Sequence, residues 1–116
     1  NRIQFGRAIG SFQAIQHRAA DMHLKAEQAA ALVRFAFWCL ENDRRQFLLT
    51  ANAAKGYASE VVPWIAEQAI QCHGGRGMSS DSGLHLYLRR ARVLALSCKT
   101  ERECYTELAN MLLAQP

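Results

Sequence analysis

The fold class that the sequence predicts is all-α, an antiparallel helical bundle, and three observations lead to it. The 116 residues include only two prolines and few β-branched side chains, against many Ala, Leu, Gln, Glu and Arg, which are good helix formers. Two long apolar-periodic runs flank Glu41-Asn42-Asp43, and their three- and four-residue steps are those of helices with one apolar side. Turn formers then cluster at Gly74-Gly75-Arg76-Gly77 and Ser79-Ser80-Asp81-Ser82-Gly83, dividing the long runs from two shorter ones. No strand is expected. The length is one domain's worth of material, so residues 1–116 read as a single module of two long helices and two shorter ones. Because it starts at Asn1 rather than Met, the sequence is expected to be a fragment of a longer chain.

The first helix is expected from about Ile9 to Ser11 through to Asn42, with Phe12, Ile15, Ala19, Met22, Ala26, Ala29, Leu32, Val33, Ala36, Phe37 and Leu40 along one side. At 1.5 Å per residue it would be about 50 Å long, longer than a small monomeric domain needs. Asn42 or Asp43 can cap a second helix running from Arg44 to His73, in which Pro63, lacking an N–H, should produce a bend near Ser59 to Val62. The stretch Ser79-Ser80-Asp81-Ser82-Gly83 offers several N-cap candidates for a third helix marked by Leu84, Leu88, Ala91 and Ala95, with Arg89, Arg90 and Arg92 on its outer side. After a break at Ser97 to Lys99, Thr100 and Glu103 have the spacing of a capping box for a fourth helix ending near Ala114. Phe12, Ile15, Met22, Leu32, Phe37, Leu40, Leu48, Val61, Ile65, Ile70, Leu88, Leu94 and Leu108 are expected to be mostly buried. So long a first helix suggests a bundle with neighbours beyond this chain.

Several function classes lose support from the composition. No run reaches the ~18 uninterrupted apolar residues of a membrane span. Cys39, Cys72, Cys98 and Cys104 form no CxxC pair, and His17, His23, His73 and His85 include no pair at helical ligand spacing; reduced thiols and no metal site are expected. The net charge of +4, with eleven arginines, favours phosphate-bearing partners. A basic helical nucleic-acid-binding module is the weakest alternative. It would want interleaved aromatics, a helix-turn-helix turn or a long basic helix, so nucleic acid is not an expected partner.

Gln71-Cys72-His73-Gly74-Gly75-Arg76-Gly77 is open to two readings. It can be a helix C-cap followed by a glycine turn. It can also be a place where backbone N–H groups and Gln71 meet an anion or nucleotide. The motif is neither GxGxxG nor a Walker sequence, so it needs company. Arg2-Ile3-Gln4-Phe5-Gly6, Phe12-Gln13, Ala20-Asp21-Met22, Ala53-Ala54-Lys55, the Gln71–Gly77 turn and Arg89-Arg90-Ala91-Arg92 follow one another along nearly the whole chain. In that order and spacing the chain resembles the C-terminal helical domain of the acyl-CoA dehydrogenases, which are flavoenzymes.

The resemblance implies an FAD-dependent oxidation of an acyl-CoA to its trans-2-enoyl form in the intact protein, passing electrons to an electron-transfer acceptor. It implies a homo- or hetero-oligomer, dimeric or tetrameric, in the bacterial cytoplasm or the mitochondrial matrix. In that family this domain shapes the cleft over the flavin ring and reaches a neighbouring subunit's FAD. By the resemblance Arg2 would meet the pyrophosphate, Phe12 and Gln13 the nucleotide portion, and Gln71, Gly74 and Gly75 the adenosine end; Thr100 belongs to the same cofactor-binding set. A fixed fork of guanidinium donors suits phosphate, and glycine allows close backbone approach.

One departure matters. Where many members carry Glu-Gly-Thr after the third helix, with Glu as the base, this chain has Cys98-Lys99-Thr100. A thiol titrating near 8.5 with a different reach replaces a carboxylate poorly. Glu101 is a fallback three residues on, facing elsewhere. No catalytic residue is therefore expected within these residues. The base would come from an upstream helix or from a complete partner subunit, or else the protein is a non-catalytic assembly subunit.

Overall fold

A computed structural model describes residues 2–114. The chain opens with a two-residue antiparallel ladder, β1 (Ile3–Gln4) and β2 (Arg7–Ala8), pairing Ile3 with Ala8 and Gln4 with Arg7. This corrects the expectation of no strand. Phe5 at φ 54° and Gly6 at φ 76° both take the positive φ that a two-residue hairpin turn requires, a conformation rarely seen for a bulky residue such as Phe5. A short 3-10 turn, Ile9–Ser11, follows. Phe12 is extended at φ −81°, ψ 130° and stands at the N-cap, so helix α1 begins only at Gln13 and runs to Asn42, two to four residues later than periodicity suggests.

Asp43 ends α1 and starts α2 (Arg44–His73), its side chain accepting from the Arg45 N–H at 3.2 Å. Helix α2 continues through the buried Pro63. It closes at Gly74, whose φ of 59° is in the left-handed range that glycine enters without steric penalty. Two 3-10 turns, Gly74–Met78 and Ser80–Ser82, lead to α3 (Leu84–Leu96). The N-cap of α3 falls within the stretch expected to supply it, and Ser82 Oγ accepts from the Leu84 N–H at 3.3 Å. Ser79 caps the second 3-10 turn, and Gly83 in a left-handed conformation stands at the α3 N-cap. Helix α4 (Glu101–Leu113) starts with the capping box the sequence announces: Thr100 Oγ1 accepts from the Glu103 N–H, and the Glu103 carboxylate accepts from the Thr100 N–H at 2.7 Å.

Helices α1, α3 and α4 each pack against α2 and hardly against one another. The domain measures 61 × 25 × 24 Å, and its radius of gyration of 17.7 Å exceeds the ~13 Å of a spherical domain of this length. So long a body cannot enclose large side chains. Of the thirteen residues expected in the core only Val61 is fully buried, at 1% exposure; Phe37, Leu40, Leu48 and Leu94 are exposed, Phe37 by 64%, and the rest are half-buried. The interior is instead a seam of small residues: Ala29, Ala36 and Cys39 on α1, Thr50, Asn52, Ala54, Gly56 and Ser59 on α2, Ala91 on α3 and Cys104 on α4. Large side chains flank the seam, and Val33, Phe37 and Leu40 with Phe47 line an open apolar groove between α1 and α2.

Gly77 is buried in the turn after α2, and a Cβ built there would be driven into the Ile70 carbonyl oxygen and to 3.0 Å from the His73 Cβ, whereas one built at Gly75 meets nothing within 4 Å. Gly77→Ala should therefore destabilise the fold by about 1–3 kcal/mol, the usual effect of forcing extra atoms against backbone. Gly75→Ala should change stability by under about 0.5 kcal/mol. Urea unfolding of the two variants side by side checks the difference.

Candidate functional site

Six of the seven residues expected at a cofactor lie where the hairpin and the glycine turn approach each other, or close by along the chain. Arg2 Nη1 donates to the His73 carbonyl oxygen at 2.7 Å, joining the first motif to the turn that contains Gln71, Gly74 and Gly75, all three exposed. The backbone of Arg2 is held in turn by the Ile9 N–H, which donates to its carbonyl at 2.9 Å. Phe12 is half-buried, edge-on to Phe5 at 6.3 Å between centroids, with the Arg7 guanidinium 4.0 Å over its ring. Gln13 follows as the exposed first residue of α1. This end of the domain therefore offers exposed backbone, two guanidinium groups and an aromatic face.

The seventh, Thr100, stands apart with Cys98 and Glu101 at the far end of α3, about 18 Å from the glycine turn by helix rise. Cys98 is exposed at φ 65°, a left-handed conformation in which non-glycine residues are uncommon. The Thr100 hydroxyl faces Glu103, donating to its Oε2 at 2.8 Å. Glu101 is exposed in the first turn of α4, where a carboxylate favours the positive end of the helix dipole. Among the described residues no three His, Cys, Asp or Glu side chains gather as a metal site, and no helix is long and apolar enough to cross a membrane.

Lys55 is the residue whose role sequence reasoning missed. Its ammonium donates to Ser59 Oγ at 2.7 Å and to the carbonyl oxygens of Leu94 and Ala95 at 3.0 and 3.1 Å. A cation thus caps the carbonyl end of α3, where the last oxygens lack helical partners and the dipole is negative. That fixes the takeoff of the segment bearing Cys98. The i, i+4 spacing of Lys55 and Ser59 was visible in the sequence, but the two carbonyls about forty residues away were not. The stem of Lys55 also lines an apolar recess with Ala58, Val62, Ala91, Leu94 and Cys98.

Below that connection, Lys99 pairs with Glu107, which also accepts from Asn52 Nδ2 at 3.2 Å. The hydrogen bond from Lys99 holds the Glu107 carboxyl below its ordinary value, and the Thr100 N–H and hydroxyl do the same for Glu103. Glu107 in turn raises Lys99.

Comparison with known proteins matches residues 1–97 to the family model described as "Acyl-CoA dehydrogenase, C-terminal domain". The "Probable acyl-CoA dehydrogenase YngJ" of Bacillus subtilis is 38% identical over 97% of this chain and 29% of its own length. "Acyl-CoA dehydrogenase IpdE2" of Mycobacterium tuberculosis is 35% identical over 100% of this chain and 35% of its own. A chain in the solved structure described as "Electron transferring flavoprotein of Acidaminococcus fermentans" superposes with a TM-score of 0.91 at 33% identity, over 98% of this chain and 30% of that one. The sequence spans about a third of the length of these relatives.

Two outcomes follow from the connection after α3. Lys55→Met keeps the stem and removes the three donated bonds, so it should lower the unfolding free energy by about 1–3 kcal/mol; denaturant titration reads it. Glu103 and Glu107 have depressed folded values, so the stability they contribute is present above the ordinary 4.5 and is lost as pH falls through the folded values. Lys99 is raised, so its contribution is complete below 10.5 and disappears at higher pH. The thermal midpoint should fall below about pH 4.5, and Glu107→Gln, which keeps an acceptor for Asn52, should make that fall shallower.

Proposed function

The chain belongs to the acyl-CoA dehydrogenase family through its C-terminal helical domain, and on that premise we propose that it serves, in the intact protein, as the helical domain of an FAD-dependent enzyme oxidising an acyl-CoA to a trans-2-enoyl-CoA. The observation that carries this reading is the Arg2 bond to the His73 carbonyl, which sets a guanidinium fork, a group suited to phosphate, beside an exposed glycine turn. The fit to a dinucleotide is reasonable on geometry. A Cβ at Gly75 would meet nothing within 4 Å, so the backbone there is open to close approach, and Arg2 keeps further N–H donors for a phosphate.

On this reading Arg2 grips the pyrophosphate, Phe12 and Gln13 contact the nucleotide portion, and Gln71, Gly74 and Gly75 receive the adenosine end across a subunit interface, with Thr100 near the flavin. FAD when bound supplies the acceptor for the hydride that leaves the substrate β-carbon. The α-proton needs a base, and position 98 offers a thiol on a left-handed residue. Proton removal therefore falls to a carboxylate outside residues 1–116, in the same chain or in a partner subunit. The exposed apolar groove between α1 and α2 suits an oligomer, and an electron-transferring flavoprotein suits the role of acceptor. The geometry at Cys98 also favours a second reading, a non-catalytic assembly subunit that completes another subunit's flavin site.

Anaerobic stopped-flow mixing of the full-length protein with acyl-CoA, following flavin bleaching, tests the proposal. Glu101→Gln should change the reductive rate by less than about tenfold, ~1.4 kcal/mol in barrier. A loss of several orders of magnitude with FAD and ligand still bound would make Glu101 the base. Flavin that is bound but never bleached by any acyl-CoA would favour the assembly subunit.

A further inference from the structure

We propose that Arg2 is a positioning residue as well as an anion-binding one: its guanidinium is the strut that holds the glycine turn Gly74–Met78 against the amino-terminal hairpin, so that the phosphate end and the adenosine end of the site are mechanically one unit. The inference rests on the dinucleotide reading for its second half only. The strut itself follows from the hydrogen bonds.

The last carbonyls of helix α2 have no further helical turn to pair with. Gly74 leaves the helix at φ 59°, ψ −142°, and its N–H returns to the Gln71 carbonyl. The His73 carbonyl is taken by Arg2 Nη1 at 2.7 Å, from a residue 71 positions away. That bond is charge-assisted and lies at the negative end of a thirty-residue helix, two reasons for it to be stronger than a neutral one. The arm behind it is stiff. The Arg2 carbonyl accepts from Ile9, and the next two residues enter the β1–β2 ladder. The guanidinium also lies against the turn itself, since a Cβ on Gly74 would be 3.5 Å from Nη1.

A guanidinium carries five N–H donors in a planar fork. The bond to His73 uses one of them, and the described hydrogen bonds give Arg2 no other partner. The Nε and Nη2 edge is therefore left to take a phosphate in two parallel bonds while Nη1 stays on the turn. A lysine offers a single point charge on a flexible stem and cannot span both. Loss of Arg2 should thus loosen the turn that Gln71 and Gly75 belong to, and the contributions of Arg2 and Gln71 to binding should not be independent.

The test uses the full-length protein and has two arms. In the first, hydrogen exchange is measured without added FAD for wild type, Arg2→Ala and Arg2→Lys, with α4 amides as the internal control for folding. Exchange at residues 75–78 should rise at least about tenfold in Arg2→Ala, with Arg2→Lys intermediate and α4 unchanged. Unchanged exchange at the turn overturns the strut. The second arm measures FAD dissociation constants for Arg2→Ala, Gln71→Ala and the double variant. Coupling requires a combined loss several-fold smaller than the product of the single losses, and a multiplicative result overturns it. Faster exchange with an unaltered FAD constant in Arg2→Ala would sink the dinucleotide reading of Arg2 and leave the strut standing.

Discussion

The whole domain depends on how closely neighbours can approach α2. A Cβ on Gly56 would be 2.9 Å from the Tyr105 ring and 3.3 Å from the Cys104 Cβ, so α4 is seated where only a glycine lets the backbones come together. Cys39 and Cys104, both at zero exposure, behave as small apolar residues at the same seam. The buried polar groups of α2 are satisfied locally or across it: Thr50 donates to Gln46 and Phe47, and Asn52 to Leu48 and Glu107. A helix that three others share must satisfy its polar atoms within itself or through one directed partner, and it does both.

The same dependence explains where the candidate site residues fall. Two helices end near them, and each end is closed by a cation from a distant part of the chain, Arg2 on the last carbonyl of α2 and Lys55 on the last carbonyls of α3. Helix C-termini concentrate unpaired oxygens and partial negative charge. Closing them with side chains from elsewhere ties the position of the following segment to the body of the domain rather than to local turn chemistry. The glycine turn and the Cys98 connection are therefore fixed in place relative to α2, although both are exposed.

What was legible in the sequence is what local chemistry decides. The Asp43 cap, the end of α2 at Gly74 and the Thr100–Glu103 capping box each depend on residues within a few positions, so spacing revealed them. The hairpin was not legible because it needs Phe5 in a left-handed conformation that its own side chain disfavours; the Arg2 and Ile9 bonds of the folded domain hold it there. The core list failed for a different reason. Periodicity marks which side of a helix is apolar, but not whether anything covers it, and here the contact seam runs along alanines and cysteines while Phe37 and Leu48 face outward. The motifs placed Arg2 beside the Gln71–Gly75 turn only through their resemblance. The His73 carbonyl that joins them has no sequence signal at all.

The exposed apolar side follows from the shape of the domain. A domain 61 Å long with its interior confined to small side chains gains stability mainly where other surfaces cover the large residues beside the seam, since burial is what rewards them. A site assembled on such a domain is shaped by whatever provides that cover. The groove formed by Val33, Phe37, Leu40 and Phe47 and the recess beside Cys98 and Lys55 are both almost wholly apolar walls with one side open. Closing the second would place the Cys98 connection in a medium of low dielectric, where a carboxylate brought in by the covering element would have its pKa raised toward that of a working base. A thiol at position 98 would then be compatible with the proposed oxidation, provided the element that completes the wall also brings the charge.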